Sequence, residues 1–204
     1  MLLLTIILLG SCTAKPIPDT NNPDPPNSED PIKEIVHRSV FNGKEIPIDQ
    51  TTYQAFGITI PNNAEARPHS GISLADIVYE ISVEGYYITR FMAIFATEFP
   101  NKLGPVRSAR IPFVRMAQEW GISFAHYGSA TRGEGDAKSL IEAIQPPIRF
   151  DGHQGINSRY FFRDSARKMP HNAYFDAEAA RSRIPALEFE PRFHFDEKTK
   201  RRTS

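Results

Sequence analysis

The chain has 204 residues, 40% of them hydrophobic and 24% charged, and its 24 basic and 24 acidic side chains cancel to a formal net charge of zero. That balance excludes disorder over the bulk of the chain and a generally nucleic-acid-binding surface. A single cysteine excludes any intrachain disulfide, so the folded part is held by its core alone.

The chain opens on a run, Leu2-Leu3-Leu4-Thr5-Ile6-Ile7-Leu8-Leu9, that is almost entirely aliphatic. A bilayer-spanning helix needs ~20 apolar residues, whereas the apolar centre of a secretory signal needs only ~7–15. Leu9-Gly10-Ser11-Cys12 comes next and has the shape of a bacterial lipobox. Small side chains there let an extended backbone enter the processing protease, and the cysteine thiol receives the lipid. No Lys or Arg precedes the apolar run, where a signal ordinarily carries positive charge. The expectation is a signal peptide at 1–11 and an extracytoplasmic protein anchored to the bacterial membrane through Cys12. A diacylglyceryl group supplies the two chains that stable anchoring requires.

Residues 12–34 read as the lipidated cysteine and a tether. Its Pro, Asn, Asp and Ser residues fix φ, remove donors and favour turns, so the segment is expected to be a solvated spacer. Residues 35–195 are long enough for one domain with a real core.

Within that domain, Tyr53–Ile60 reads as a strand, and so do Asp76–Val83 and Arg90–Phe95, which are close enough to form a hairpin. Ile111–Trp120 reads as a helix, with Pro112 in its first turn, Val114, Ala117 and Trp120 on one face, and Gly121 as its stop. Ile122–Tyr127 is a short strand, Gly135–Ile144 a helix stopped by Pro146-Pro147, and Asp176–Ile184 a helix capped by Asp176. Strands interleaved with helices predict an α/β or α+β domain with a mixed central sheet flanked by helices.

Several sharp motifs run in order through this region. They are Ala66-Arg67-Pro68-His69-Ser70-Gly71-Ile72, Ala75-Asp76-Ile77-Val78-Tyr79-Glu80, Glu84-Gly85 and Thr89-Arg90-Phe91. After them come Gly104-Pro105-Val106-Arg107-Ser108-Ala109-Arg110, His126-Tyr127-Gly128-Ser129, Phe162-Arg163-Asp164-Ser165, Arg167-Lys168 and Pro170-His171-Asn172-Ala173-Tyr174. The ordered set resembles the YerB-type family of bacterial lipoproteins, a family without an assigned reaction, over about residues 53–185. The resemblance implies a lipoprotein signal, in agreement with Cys12. It also implies a second, smaller β-rich domain, so the polar residues 196–204 are expected to be the truncated start of that domain. Tyr86-Tyr87-Ile88 stands where the resemblance implies more glycine, which would reshape a neighbouring loop.

The motif segments are rich in arginine. Arg67, Arg90, Arg107, Arg110, Arg163 and Arg167, with Ser108 and Asn172, are the candidate ligand-binding residues. A guanidinium presents a rigid fork of donors matched to carboxylate or phosphate. Arg107-Ser108-Ala109-Arg110 directly precedes a helix N-terminus, a natural place for an anion. The competing reading is an ion-pair network in which Asp76, Glu80, Glu84, Glu98 and Asp164 neutralise the arginines.

Asp76, Glu80 and Glu84, placed on one strand face by period two, and His126 and His171 are the candidate acid/base residues. No strong metal-ligand spacing, serine-hydrolase elbow or phosphate loop is present, so neither a metal nor a cofactor is expected. Tyr86, Tyr87, Phe91, Tyr160, Phe161, Phe162 and Tyr174 are aromatics suited to stacking on sugars or to a core.

Two functions of different classes fit these residues. One is a cell-envelope binding or accessory protein for an anionic glycan, a polyprenyl phosphate or an envelope protein. The other is a phosphoryl-transfer or hydrolytic enzyme acting on an envelope glycan or polyprenyl-phosphate precursor, by a loose analogy of layout with the LytR–CpsA–Psr phosphotransferases. Whether the arginines line one open pocket or are capped by acids separates these readings from a purely structural role.

Overall fold

The computed structural model describes residues 37–84, 87–131 and 136–195, and the expectations for the signal peptide, Cys12, the tether and the 196–204 tail lie outside them. The first strands are β1 (His37–Arg38), β2 (Glu45–Ile46), β3 (Tyr53–Gln54), β4 (Phe56–Pro61), β5 (Ile77–Glu84) and β6 (Ile88–Phe95). Next come α1 (Ile111–Trp120), β7 (Ser123–His126), α2 (Ala137–Ile144) and β8 (Arg149–Asp151). The chain then forms β9 (Phe161–Arg163), β10 (Ala173–Phe175), α3 (Ala177–Ala180) and β11 (Ala186–Leu187).

Five strands make a mixed sheet in the order β5-β6-β4-β7-β8. β4 lies at its centre, buried at every position. It pairs antiparallel with β6 and parallel with β7, and β7 pairs parallel with β8. The fold is α/β, as the alternation of patterns predicts. β5 and β6 pair antiparallel in the expected hairpin.

Alternation along the strands divides the core between two faces. Phe56, Ile58 and Ile60 of β4, with Phe95 and Phe150, pack against Leu103, Val106, Phe175, Ala177, Ala180 and Ile184. Met92, Ile94 and Phe124 point the other way and meet Phe113, Val114, Ala117 and Trp120 of α1 and Ala137 and Ile141 of α2. Gly121 ends α1 in the left-handed region (φ 66°), where its N–H reaches the carbonyls of Ala117 and Gln118. Asp136 caps α2 by accepting from Ser139 N–H, while Gly135, the expected first residue, lies outside the described residues.

The structure redraws some boundaries. The expected strand 53–60 divides at Ala55, because Tyr53 and Gln54 pair with β11 whereas Phe56 onward pairs with β6 and β7. Asp76 precedes β5 rather than joining it. The helix expected over 176–184 is one α-helical turn capped by Asp176, followed by a 3-10 turn at Arg181–Arg183. The β9–β10 pair occupies a stretch read only as motifs.

Phe175 is fully buried, its ring centroid 4.8 Å from Phe161, 5.3 Å from Phe150 and 5.6 Å from Phe56. Phe175→Ala is expected to cost ~3–5 kcal/mol of stability in urea titration, since the cavity opens under the sheet. Phe162→Ala, on the paired strand but 40% exposed, is expected to cost under about 1 kcal/mol.

Candidate functional site

The parallel strands β4, β7 and β8 all end at one edge of the sheet, at Pro61, His126 and Asp151. The antiparallel register brings the start of β6 to the same edge. The carboxyl ends of parallel strands are where open α/β sheets take ligands.

The Gly104–Arg110 segment crosses this edge. Gly104 (φ 147°) has room for no side chain, because a Cβ there would lie 2.9 Å from Val106 N and 3.0 Å from Ala173 O. Arg107 N–H donates to Thr59 O (3.0 Å), Tyr127 N–H to Arg107 O (3.0 Å) and Ala109 N–H to Gly128 O (3.0 Å). The segment is thus stitched by its backbone to the ends of β4 and β7. Arg90, only 3% exposed, reaches over from β6 and donates Nη1 to Ser108 O at 2.7 Å.

Arg90 and Arg107 line a cavity of about 280 Å³ together with Asn63, Glu65, Thr89, Ile88, Pro61 and His171. Next to it, a groove of about 600 Å³ is lined by Arg67, Pro68, Arg167, Lys168, Met169 and Pro170, and it shares Glu65 and His171 with the first. Burial, and then the positive charge of Arg107, push the His171 pKa below its ordinary value, so the ring is neutral at pH 7. His171 Nε2 lies 3.2 Å from Asn63 Nδ2, which can only donate, so Nε2 accepts and the proton sits on Nδ1. That Nδ1 is buried, with no hydrogen-bond partner among the described residues.

The other candidates have definite places. Ser108 Oγ donates to Tyr127 O. Arg110 precedes α1, donates to Ala109 O and does not line the cavity, so the two arginines of the turn part company. Pro112 at the start of α1 also removes one N–H from the anion cradle expected there. Arg67 holds Asn62 through Oδ1 (2.6 Å) and O (3.2 Å). Arg167 donates to the carbonyls of Glu65, Ala66, Arg67 and Pro68, clamping that loop beneath the groove. Arg163 bonds Asn172 Oδ1 (2.5 Å) and Tyr127 Oη (3.0 Å), over whose ring it also stacks.

The acids divide likewise. Asp76 sits at the far end of β5, where it accepts from Ala96 N–H, Thr97 N–H, Thr97 Oγ1 and Asn42 Nδ2 and so shapes a turn. Glu80 accepts from Asn62 and Thr89. Glu98 pairs with Lys44, and Asp164 pairs with Lys102 while the positive charge of Arg167 also acts on it. The Glu84 side chain lies outside the described residues. Among the described residues no three His, Cys, Asp or Glu side chains converge to hold a metal.

His126 is fully buried. Its Nδ1 is 2.7 Å from Gly128 O and its Nε2 is 3.3 Å from Arg149 Nε, a donor, so the ring donates to the carbonyl and accepts from the guanidinium. Gly128 turns in the left-handed region (φ 71°), which aims that carbonyl back at the ring. Burial pushes the His126 pKa down. Burial raises that of Asp151, but His126, the N–H groups of His153 and Gly128, and Arg149 together outweigh it and hold the carboxyl below its usual range. Sequence reasoning missed Arg149 and Asp151, which sit on a three-residue strand too short to show alternation, and Asn63, which looks like an ordinary turn residue; Thr89 entered only as part of the Thr89-Arg90-Phe91 motif.

This α/β sheet with a polar carboxyl edge defines a family: the chain belongs to that described as "Protein of unknown function (DUF3048) N-terminal domain", whose family model matches residues 42–190. In sequence it is 33% identical, over 174 residues, to the Bacillus subtilis (strain 168) protein named "Putative lipoprotein YerB", covering 85% of this chain and 46% of that one. In structure it is similar to the crystal structure of YerB protein from Bacillus subtilis, with a TM-score of 0.61 and 30% identity over 76% of this chain and 53% of that one. The chain therefore spans about half the length of the relatives it matches.

A histidine whose folded pKa is depressed leaves stability intact above about 6.5. As pH falls below that value the unfolded chain takes up the proton first, and stability declines until the folded pKa is reached. The melting temperature is therefore expected to drop between pH 7 and pH 5, and more shallowly in His126→Gln. A slope unchanged in the variant would assign the dependence to His69 and His171, whose pKa values are also depressed.

Proposed function

We propose that this protein is a membrane-anchored extracytoplasmic lipoprotein that binds an anionic envelope ligand in the cavity between Arg90, Arg107 and His171. The lipobox-like Leu9-Gly10-Ser11-Cys12 and the name of the Bacillus subtilis relative support the anchor. The observation that carries the site is the convergence of two guanidiniums, the Asn63 amide and the Thr89 hydroxyl on one cavity at the carboxyl edge of the sheet. The adjoining groove adds Met169, 72% exposed, with Pro68 and Pro170 beside Arg67 and Lys168. A charged head and an apolar chain side by side describe a polyprenyl phosphate better than a free anion, so the first role is that of a binding or accessory protein for such a ligand.

Arg107→Ala is expected to weaken binding of a short polyprenyl phosphate ten- to hundredfold, the ~1.5–3 kcal/mol of a lost charge-assisted hydrogen bond. Arg107→Lys is expected to restore little of it, because the fork is lost. Calorimetric titration and melting curves of the same samples check this. A large loss of stability with no ligand-dependent shift in the parent protein would overturn the site.

One observation favours a second reading, a phosphoryl-transfer or hydrolytic enzyme: the neutral imidazole of His171 lines both cavities. Release of inorganic phosphate from the same probe by the parent protein, but not by His171→Gln, would establish turnover over binding alone.

The anchor has its own test. Cys12→Ser is expected to move the protein from the membrane fraction to the soluble one and to abolish lipid labelling. Membrane retention and equal labelling of the variant would overturn it.

A further inference from the structure

The cavity lined by Arg90, Arg107 and His171 and the groove beside it open at one edge of the sheet, and exposed apolar side chains stand at both flanks. Ile88, itself exposed, lines the cavity, and Tyr87 just before it is 97% exposed. Met169, 72% exposed, lines the groove. Hydrogen bonds hold both flanks in place. Strand pairing runs out to Glu84 and Ile88, and Asn62 N–H donates to Thr89 O at the start of β6. The turn that carries Met169 is closed by Arg167 N–H on Asp164 O, His171 N–H on Lys168 O and Asp164 N–H on Asn172 O. The Arg167 side chain then ties that turn to the carbonyls of residues 65–68. Large apolar side chains are thus held in water on ordered turns, as on a surface that is covered in use.

The charge between the flanks is one-sided. Arg67, Arg90, Arg107, Arg167 and Lys168 line the two hollows against a single carboxylate, Glu65. In a chain of zero formal net charge, this is a local excess of positive charge. Glu65 is itself held by Asn63 Nδ2 at 2.6 Å, and nearby Glu80 by Asn62 Nδ2 at 2.8 Å. Arg67 and Lys168 are exposed at the rim.

These two features together select what covers the edge. A protein partner packs a contiguous, well-fitted core, whereas here the apolar tips are separated by polar openings. A bilayer interface receives separate side chains, and an anionic leaflet sets phosphates against the cations between them. Tyrosine, with an apolar ring and a polar hydroxyl, suits that interface. The placement deepens the reading of a polyprenyl-phosphate site and rests on it for its purpose. A lipid whose chain stays in the bilayer offers its phosphate at the leaflet surface, so the cavity that takes it has to face that surface.

We propose that this edge of the sheet lies on an anionic bilayer, with Tyr87, Ile88 and Met169 entering the interface and Arg67 and Lys168 meeting lipid phosphates. In the Cys12→Ser full chain no other cysteine remains, so Tyr87→Cys, Met169→Cys and Ile48→Cys each place one fluorophore. Ile48, exposed and lining neither hollow, is the reference. A C-terminal hexahistidine tag and a nickel-chelating lipid hold each protein on vesicles, so the readout needs neither the Cys12 anchor nor a bound polyprenyl phosphate. On vesicles of phosphatidylcholine with phosphatidylglycerol, quenching by brominated acyl chains is expected at positions 87 and 169 and not at 48. Lys168→Glu, an exposed change, is expected to weaken that contact by about fivefold or more, and so is omission of phosphatidylglycerol. Quenching at 87 and 169 no greater than at 48, or unchanged without phosphatidylglycerol, overturns the proposal. Quenching replaced by a signal that depends on protein density, whatever the lipid, assigns the edge to a second copy of the chain and overturns it too. Quenching that persists in a protein unable to bind polyprenyl phosphate in solution supports the membrane face and removes only the ligand.

Discussion

The backbone of β4 is hydrogen-bonded on both sides, antiparallel to β6 and parallel to β7, and all six of its residues are buried. Buried N–H and C=O groups must be paired, so neither neighbour can be lost without stranding the other half of the ladder. Parallel pairing also forbids a tight turn between β4 and β7, and the chain uses the β5–β6 hairpin and α1 to make the crossing. The same rule sets α2 between β7 and β8. Helices on one face and the β9–β10 pair with α3 on the other then cover the sheet, as a sheet apolar on both faces requires.

The polar edge is a product of that alignment. Three strands running the same way end together, and Thr59 O receives the N–H of Arg107 there. The arginines that gather at this edge do different work. Arg167 and Arg67 use their forks on carbonyls and an amide of the 62–68 loop, and Arg163 locks Asn172 to Tyr127. These side chains hold walls in position. Arg90 and Arg107 stand on a cavity, and Arg149 is positioned toward another by a histidine and a carboxylate that are both buried. A guanidinium suits both kinds of work because its donors are rigidly arranged and its charge does not titrate.

The carboxylates resolve differently from their spacing. Asp76 and Glu80 sit four residues apart, which on a strand means one face. Yet Asp76 lies before β5, where the N–H groups of Ala96 and Thr97 just after β6 capture it, and Glu80 is drawn to Asn62 and Thr89 at the exposed edge. Donors brought in by the sheet pairing, backbone N–H groups for Asp76 and the Asn62 and Thr89 side chains for Glu80, engage the two acids separately.

Much of the fold was legible in the residues themselves. The helix at Ile111–Trp120 carries its own stop in Gly121, Asp176 marks a helix start, and the β-branched and aromatic residues of 76–83 and 90–95 mark the two strands of the hairpin. These features depend on neighbours a few residues away, so the chain alone determines them. The concentration of arginine in the motif segments was legible too, and with it the expectation of an anion-binding face. What only the tertiary structure decided is which arginines meet. Arg107 and Arg110 are three residues apart yet diverge, while Arg107 and His171, distant in sequence, share one cavity, and Arg149 finds His126 on a neighbouring strand. Those meetings depend on strand order and register, which are set by long-range pairing of backbone groups that look alike at every residue, and a single sequence carries no local mark of them.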